Sequence, residues 1–470
     1  MPAQTKPGVR PELARDLGLS HAGAVVVGTI IGSGIFLVPA EMMQAVGSAR
    51  LVYLAWMVGG LLSFFGALTY AELGAMKPQA GGEYVYVRDA YGPLAGFLYS
   101  WTTFLISKPA SIATITTGLV RILETFPTFS FLARPFFSEQ FSSHTFTIGN
   151  GQLFAIGATV LISALNYIGI RRAGEFQFLF TLLKVAIIVG IVAVGFSYRG
   201  GTWANFATEF SGAKGGMVGF FAALVAALWA YDGWNDLNMV AGEIRNPQRN
   251  VPLSLIWGVA TVGALYVLVN AAVQYVLPAA IVAVSERPAS DAVALVLGRS
   301  GAGLVSAGMA ISMLVTLNGS IMSGARVPFA MARDGYFFKA IAEVHPRFRT
   351  PSIAIILQCS LAVTLLLLGG NFRQFFSLAI FAEWLFYMIT GSTVFVFRRR
   401  EPLADRPYKV WGYPVVPALF IVVSAVLLCY TFSDNLKSSV AGCAVILAGI
   451  PVFYLFKHSL FKQGPSTPRK

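Results

Sequence analysis

The chain has 470 residues, 56% of them apolar and 12% charged, with a mean hydropathy of +0.69, which excludes an ordinary soluble globular protein and identifies a membrane protein. Its formal net charge is +13. The basic residues are spread over many short segments instead of forming one footprint, so the charge calls for no nucleic-acid partner.

A helix needs about 20 apolar residues, at roughly 1.5 Å each, to cross a hydrocarbon core of about 30 Å. Twelve stretches meet that requirement: 20–46, 50–76, 93–123, 150–169, 175–198, 216–241, 253–277, 302–325, 352–369, 373–397, 413–433 and 437–457. Runs such as "FLFTLLKVAIIVGIVAVGF" are continuously apolar and about twice the length of a barrel strand, which predicts an all-α membrane protein. The first 19 residues are polar and carry Lys6, Arg10 and Arg15, but the apolar stretch after them is span-length and lacks a small-residue cleavage site; a removable signal is not expected. With a cytoplasmic N-terminus, the cytoplasmic segments and the inner end of the last span hold 23 of the 34 Lys and Arg residues and the opposite side holds nine. Positive charge is retained in the cytoplasm during insertion, so both termini are expected inside. The densest basic cluster, "FRRREPLADRPYK", reads as an anchoring loop beside anionic lipid.

Cys359, Cys429 and Cys443 all fall within predicted spans, so neither a disulfide framework nor a metal spacing is expected. His21, His144, His345 and His458 never pair at i, i+4, and no GxxxxGK[ST] motif is present. Nucleotide-driven pumping, metal chemistry and a bound cofactor are therefore not expected, nor is an enzyme.

Two spans are interrupted. The first contains "VGTIIGSGIFLVP" (26–38), with Gly28, Gly32 and Gly34; the sixth contains Tyr231, Asp232, Gly233, Trp234, Asn235 and Asp236 in mid-span. A broken helix leaves backbone groups that hydrocarbon cannot satisfy, so each break must face protein, water or a polar ligand. Close helix packing through Gly28 and Gly32 is the alternative for the first break, but it leaves the polar run of span six unexplained. Paired breaks in corresponding positions of two halves point to an inverted-repeat secondary transporter. The divisions expected are a cytoplasmic segment 1–19, a first repeat of five spans over 20–198, a second over 216–397, two added spans over 413–457 and a tail from 458 to 470.

"VGTIIGSGIF", "GGEYVYVRDAYG", "WAYDGWNDLN" followed by "EIRNPQRNVP", and "NGSIMSGARVPFAMARDGYFF" resemble the L-type amino acid transporter family of the amino acid, polyamine and organocation superfamily, in order over about residues 17 to 430. The resemblance implies a LeuT-type 5+5 fold and a sodium-independent carrier of L-amino acids, commonly a one-for-one exchanger.

An amino acid zwitterion must exchange its hydration for protein partners. The start of the second half of span one, at Ser33 and Gly34, offers free N–H groups and a positive dipole end to its carboxylate. The carbonyls of Ile30, Trp229 and Asp232 offer acceptors to its ammonium, and glycine at 32 and 34 keeps side chains out of the way. Trp229 stands where the family carries an aromatic gate over the substrate; an interfacial belt tryptophan is the alternative, but belt residues lie at span ends. Lys184 lies about ten residues into span five, too deep for easy snorkelling. The resemblance implies that it replaces the cation of sodium-coupled relatives, bridging spans one and eight, with the Gly28 carbonyl and a hydroxyl, Ser320 in preference to Ser323, as partners. Asp232, Asn235 and Glu383 are candidates for the side-chain pocket, where an acid would favour cationic substrates; for Asp232, bonding to its own broken backbone is the preferred alternative. Lys108 is intramembrane, with no role beyond pairing with a core acid.

Animal members hold a cysteine between spans three and four that links a glycoprotein subunit; residues 124–149 contain none. No disulfide-linked heavy subunit is expected, and with short tails the chain reads as a prokaryotic member of the inner membrane. The substrate expected is a neutral L-amino acid of small to medium size. A proton-coupled or cationic carrier is the runner-up, ahead of a non-transporting sensor, which would normally carry an added soluble domain. A channel would need a filter sequence that is not seen.

Overall fold

The computed structural model of the protein describes residues 12–141, 144–368, 372–434 and 436–462. The expected N-terminal segment up to residue 11 and the tail from 463 lie outside them. The chain begins with α1 (Leu19–Ile30) and α2 (Gly34–Val46), followed by α3 (Ala49–Met76), α4 (Glu83–Tyr91), α5 (Pro93–Thr102) and α6 (Lys108–Leu123), with a π-helical turn at Thr103–Ser107 joining the last two. After a hairpin of β1 (Pro135–Phe141) and β2 (His144–Gly149) come α7 (Asn150–Tyr167), α8 (Ile170–Ser197), α9 (Gly216–Ala230) and the four-residue α10 (Asp236–Met239). The remainder is α11 (Pro247–Val276), α12 (Ala279–Val284), α13 (Pro288–Gly324), α14 (Arg326–Arg333), α15 (Ser352–Leu368), α16 (Phe372–Arg400), α17 (Val415–Asp434) and α18 (Leu436–Lys462).

Among the described residues, seven helical runs are long and apolar enough to cross a membrane, and Gly216–Ala230 and Ser352–Leu368 are shorter apolar helices. Among the described residues the two-stranded sheet that departs from an all-α chain is an antiparallel hairpin, which pairs Ser138 with Thr147 and Glu139 with Phe146. Its Phe- and Thr-rich strands suit a pleated surface, and an apolar-span search passes over so polar a segment. Helices also run beyond the apolar stretches that reveal them: α8 starts at Ile170, where an exposed Arg171–Glu175 pair, 2.9 Å apart, extends it by a turn.

The cluster at 397–409 is turned partly inward. Arg398 donates to the Glu72 carboxylate at 2.9 and 2.6 Å, and Arg406 donates to the carbonyls of Phe397 and Glu401 at 2.9 and 2.8 Å. These two cations hold the loop to the helix ends.

Both expected interruptions are present, and they meet. α1 stops at Ile30 and α2 starts at Gly34; α9 stops at Ala230 and α10 starts at Asp236. α1 packs against α8, α11 and α13, while α2 packs against α9. Thr29 donates its hydroxyl to the Gly233 carbonyl at 2.8 Å. Two glycines make the approach possible. A Cβ on Gly34 would lie 2.8 Å from the Cα of Ala230, and Gly233, at φ +105°, sits 3.1 Å by the same measure from the Thr29 carbonyl carbon. Behind the junction, Trp56 contacts Tyr231 and Tyr266 edge-on at ring distances of 5.6 and 5.4 Å, and all three are buried. Edge-to-face contacts of this kind are each worth about 0.5–1.5 kcal/mol beyond area burial, which keeps the broken region rigid.

Candidate functional site

One cavity, of about 970 Å³ with its open mouth included, lies at the meeting point of the breaks. Ile30, Gly32, Ser33, Gly34, Trp229, Asp232, Asn235, Glu383 and Ser320 all line it. Gly28 and Lys184 do not; they lie behind the end of α1. Among the described residues, no group of three or more His, Cys, Asp or Glu side chains is placed to hold a metal ion.

Lys184, 1% exposed on α8, donates from Nζ to the carbonyls of Gly28 at 2.8 Å, Ile31 at 2.6 Å and Ser312 at 3.1 Å. An ammonium has three N–H donors, and here each meets a backbone carbonyl, two of them at the negative dipole end of α1. The span-eight contribution is not Ser320. It comes from one and two turns earlier on α13, where the Thr316 and Ser312 hydroxyls donate to the Ile31 carbonyl at 3.2 and 2.7 Å. Lys184 reaches α13 beside the end of α1, whereas Ser320 lies further along that helix and faces the cavity.

The carbonyls expected to be free for the ammonium are partly engaged. Tyr266 on α11 holds its hydroxyl 3.0 Å from the Ile30 carbonyl and 2.8 Å from that of Ala230, so one proton is shared between the last residues of α1 and α9. The Ile30 carbonyl also accepts from the Gly32 amide at 2.8 Å, and that of Trp229 accepts from the Asp232 amide at 3.1 Å. At the start of α2, by contrast, the first N–H groups have no intrahelical acceptor, which leaves an anion-compatible end at the cavity wall. The roles of the two glycines also separate. The Cβ site of Gly34 points into Ala230, while that of Gly32 is open to an ordinary contact, 3.6 Å from Thr316.

The break in span six is held by a chain of polar side chains. Tyr387 on α16 donates to Asp232 at 2.5 Å and to Asn235 at 3.0 Å, and the Asn235 amide donates to both Glu83 oxygens at 3.4 and 3.3 Å. Glu83, at the start of α4, accepts further from Tyr70 at 2.7 Å and from Tyr99. Burial pushes the Glu83 carboxyl up to about 7, against these hydrogen bonds, which pull it down. α4 itself is outside the apolar spans. Asp232 therefore bonds across to α16 and still faces the cavity.

Lys108 has a partner that spacing does not reveal, because its Nζ forms an ion pair with Asp236 at the first residue of α10. Sequence reasoning passed over Glu83, Tyr99, Ser312, Tyr266 and Tyr387 as well. The "GGEYVY" stretch held a signal for the first, an acid directly after paired glycines. Tyrosines within long apolar spans give none, since core packing accounts for them equally well.

The amino acid permease family profile matches residues 17–455. The serine/threonine exchanger SteT of Bacillus subtilis (strain 168) is 33% identical over 95% of this chain and 97% of its own length. The b(0,+)-type amino acid transporter 1 of Homo sapiens is 32% identical over 96% of this chain and 89% of its own. The cystine/glutamate transporter of Homo sapiens is 30% identical over 95% and 86%. With a profile match over nearly its whole length and full-length relatives of this kind, the chain belongs to the amino acid permease family and, within it, to the L-type amino acid transporters.

Proposed function

We propose that this amino acid transporter is a sodium-independent exchanger of neutral L-amino acids, small to medium in size, working by alternating access. The reading extends to twelve spans in a LeuT-type 5+5 inverted repeat, both termini in the cytoplasm, residence in the inner membrane, and action without a disulfide-linked heavy subunit. The observation that carries it is Lys184 Nζ seated against three backbone carbonyls at the end of α1 and on α13, at 2.8, 2.6 and 3.1 Å. A tethered cation there makes a sodium ion redundant electrostatically. The free N–H end of α2 suits the substrate carboxylate, and Trp229 at the end of α9 suits a gate over the bound molecule. That one relative is named a serine/threonine exchanger supports both exchange and a short side chain.

A second reading, cationic substrates, is favoured by Asp232 and Glu383 both lining the cavity. Counterflow separates exchange from proton-coupled uptake and from a sensor. Purified protein in liposomes should take up labelled neutral amino acid only when unlabelled amino acid is inside. Uptake into empty liposomes driven by a proton gradient would contradict exchange, and binding without any uptake would make the chain a sensor.

A further inference from the structure

We infer that the Lys108–Asp236 pair is the side-chain reader of the cavity, selecting short, uncharged side chains that both donate and accept hydrogen bonds, hydroxyls and carboxamides. The inference rests on the proposed neutral amino acid exchange and assigns its specificity to two residues.

Lys108 is 7% exposed and Asp236 2% exposed, and both line the cavity. A buried ion pair is costly to desolvate, and well-packed apolar residues in its place are commonly as stable or more so, so stability alone gives little reason for one on a cavity wall. The backbone is arranged to put it there. The π-helical turn Thr103–Ser107 ends with the Lys108 amide bonded to the Thr103 carbonyl, five residues back, and so inserts one residue into the register. An extra residue rotates the rest of the helix by about 100° relative to a regular α-helix, and π-bulges collect at functional sites. Ser107 and Ser111, four residues apart, also line the cavity.

The neighbouring stretch of α13 supplies an independent sign of a polar ligand. Ser320, 3% exposed and lining the cavity, has a hydroxyl with no hydrogen-bond partner among the described residues. The Lys108 stem lies against α13 one turn away, 2.8 Å from a Cβ placed on Gly324. Lys108, Asp236 and the three serines thus present donors and acceptors together.

A lone lysine would select an acidic side chain and a lone aspartate a basic one. Paired, each meets the other's charge, and donor directions on Lys108 are left beside acceptor directions on Asp236. A hydroxyl or carboxamide satisfies both. An aliphatic side chain leaves both desolvated and unmet, which is how polar sites reject apolar isosteres.

The test is exchange in liposomes with serine against alanine and threonine against 2-aminobutyrate, each pair differing in the hydroxyl. Wild type should prefer the hydroxylated member about tenfold in half-saturation concentration, the scale of one charge-assisted hydrogen bond. Lys108→Met combined with Asp236→Leu should bring the ratio near one whatever the absolute rate of exchange, because loss of a merely structural bridge would lower both members of a pair alike and leave their ratio unchanged. If that variant is not monodisperse, Asp236→Asn, which keeps the shape, should lower the ratio severalfold. A wild-type ratio near one, or a ratio unchanged in either variant, overturns the assignment. Absence of any amino acid exchange by wild type overturns the transport reading instead, so the two failures are distinct.

Discussion

Thr29 donates its hydroxyl to the carbonyl of Gly233 at 2.8 Å, 204 residues away in sequence, so the two broken helices form one junction. Its tightness makes Gly34 and Gly32 unequal. Alanine at 34 would put a methyl group 2.8 Å from the Ala230 backbone, whereas alanine at 32 meets nothing closer than 3.6 Å. Gly34→Ala should lower the thermal midpoint of purified protein and weaken substrate binding together. Gly32→Ala should leave the midpoint within about a degree. Equal midpoints for the two variants would contradict the junction as described.

Tyr266 bonds both helix ends with one hydroxyl, at 3.0 and 2.8 Å. Tyr266→Phe keeps the ring against Trp56 and removes only that link, leaving buried carbonyls short of a donor at a cost of about 1–3 kcal/mol. The expected result is a folded protein whose half-saturation concentration rises about tenfold. An unchanged value would mean that the two ends are held by packing alone.

Glu83 gives a pH signature. Its carboxyl is raised from 4.5 to about 7 in the folded protein. The native state therefore holds the proton more tightly than the unfolded chain, so this contribution to stability is complete below about pH 4.5 and is lost as pH rises through about 7. Because Glu83 is joined through Asn235 to Tyr387 and Asp232, its ionisation should also be felt at the cavity. Glu83→Gln should flatten the stability profile between about pH 4.5 and 7, measured by thermal unfolding in detergent against wild type. A profile with the same slope in both proteins would remove Glu83 as the source.

Asp232 and Glu383 both line the cavity, which sets a prediction for arginine. If cationic side chains are accepted, arginine should inhibit neutral amino acid exchange, and Asp232→Asn or Glu383→Gln should abolish that inhibition while leaving the neutral substrate within about twofold. Competition assays in liposomes read this directly. Inhibition by arginine that survives both changes would place cationic recognition elsewhere.

How much could be read in advance depends on the range of each signal. Glycines 32 and 34 and the polar run 231–236 are local, so the breaks are legible in the sequence, whereas the Gly28 carbonyl as a partner of Lys184 follows only from the resemblance to the family. Contacts between distant helices are not legible. Ser312 and Ser320 are both serines on one helix, and only the placement of α8 and α13 sends the first to the end of α1 beside Lys184 and the second to the cavity. Lys108 and Asp236 lie 128 residues apart with nothing in either neighbourhood to announce the pair. Gly34 both lines the cavity and has its Cβ direction filled by Ala230, and the sequence cannot separate the two because close backbone approach and an open site use the same residue type.

The central claim, that Lys184 stands in place of a coupling cation, is tested most directly by exchange of labelled amino acid in liposomes loaded with the same amino acid, with external sodium or choline, for wild type and Lys184→Ala. Wild type should exchange at the same rate in both salts, and Lys184→Ala, monodisperse in detergent, should lose most of its exchange. A wild type that requires sodium, or a Lys184→Ala variant that exchanges at the wild-type rate without it, would contradict the account.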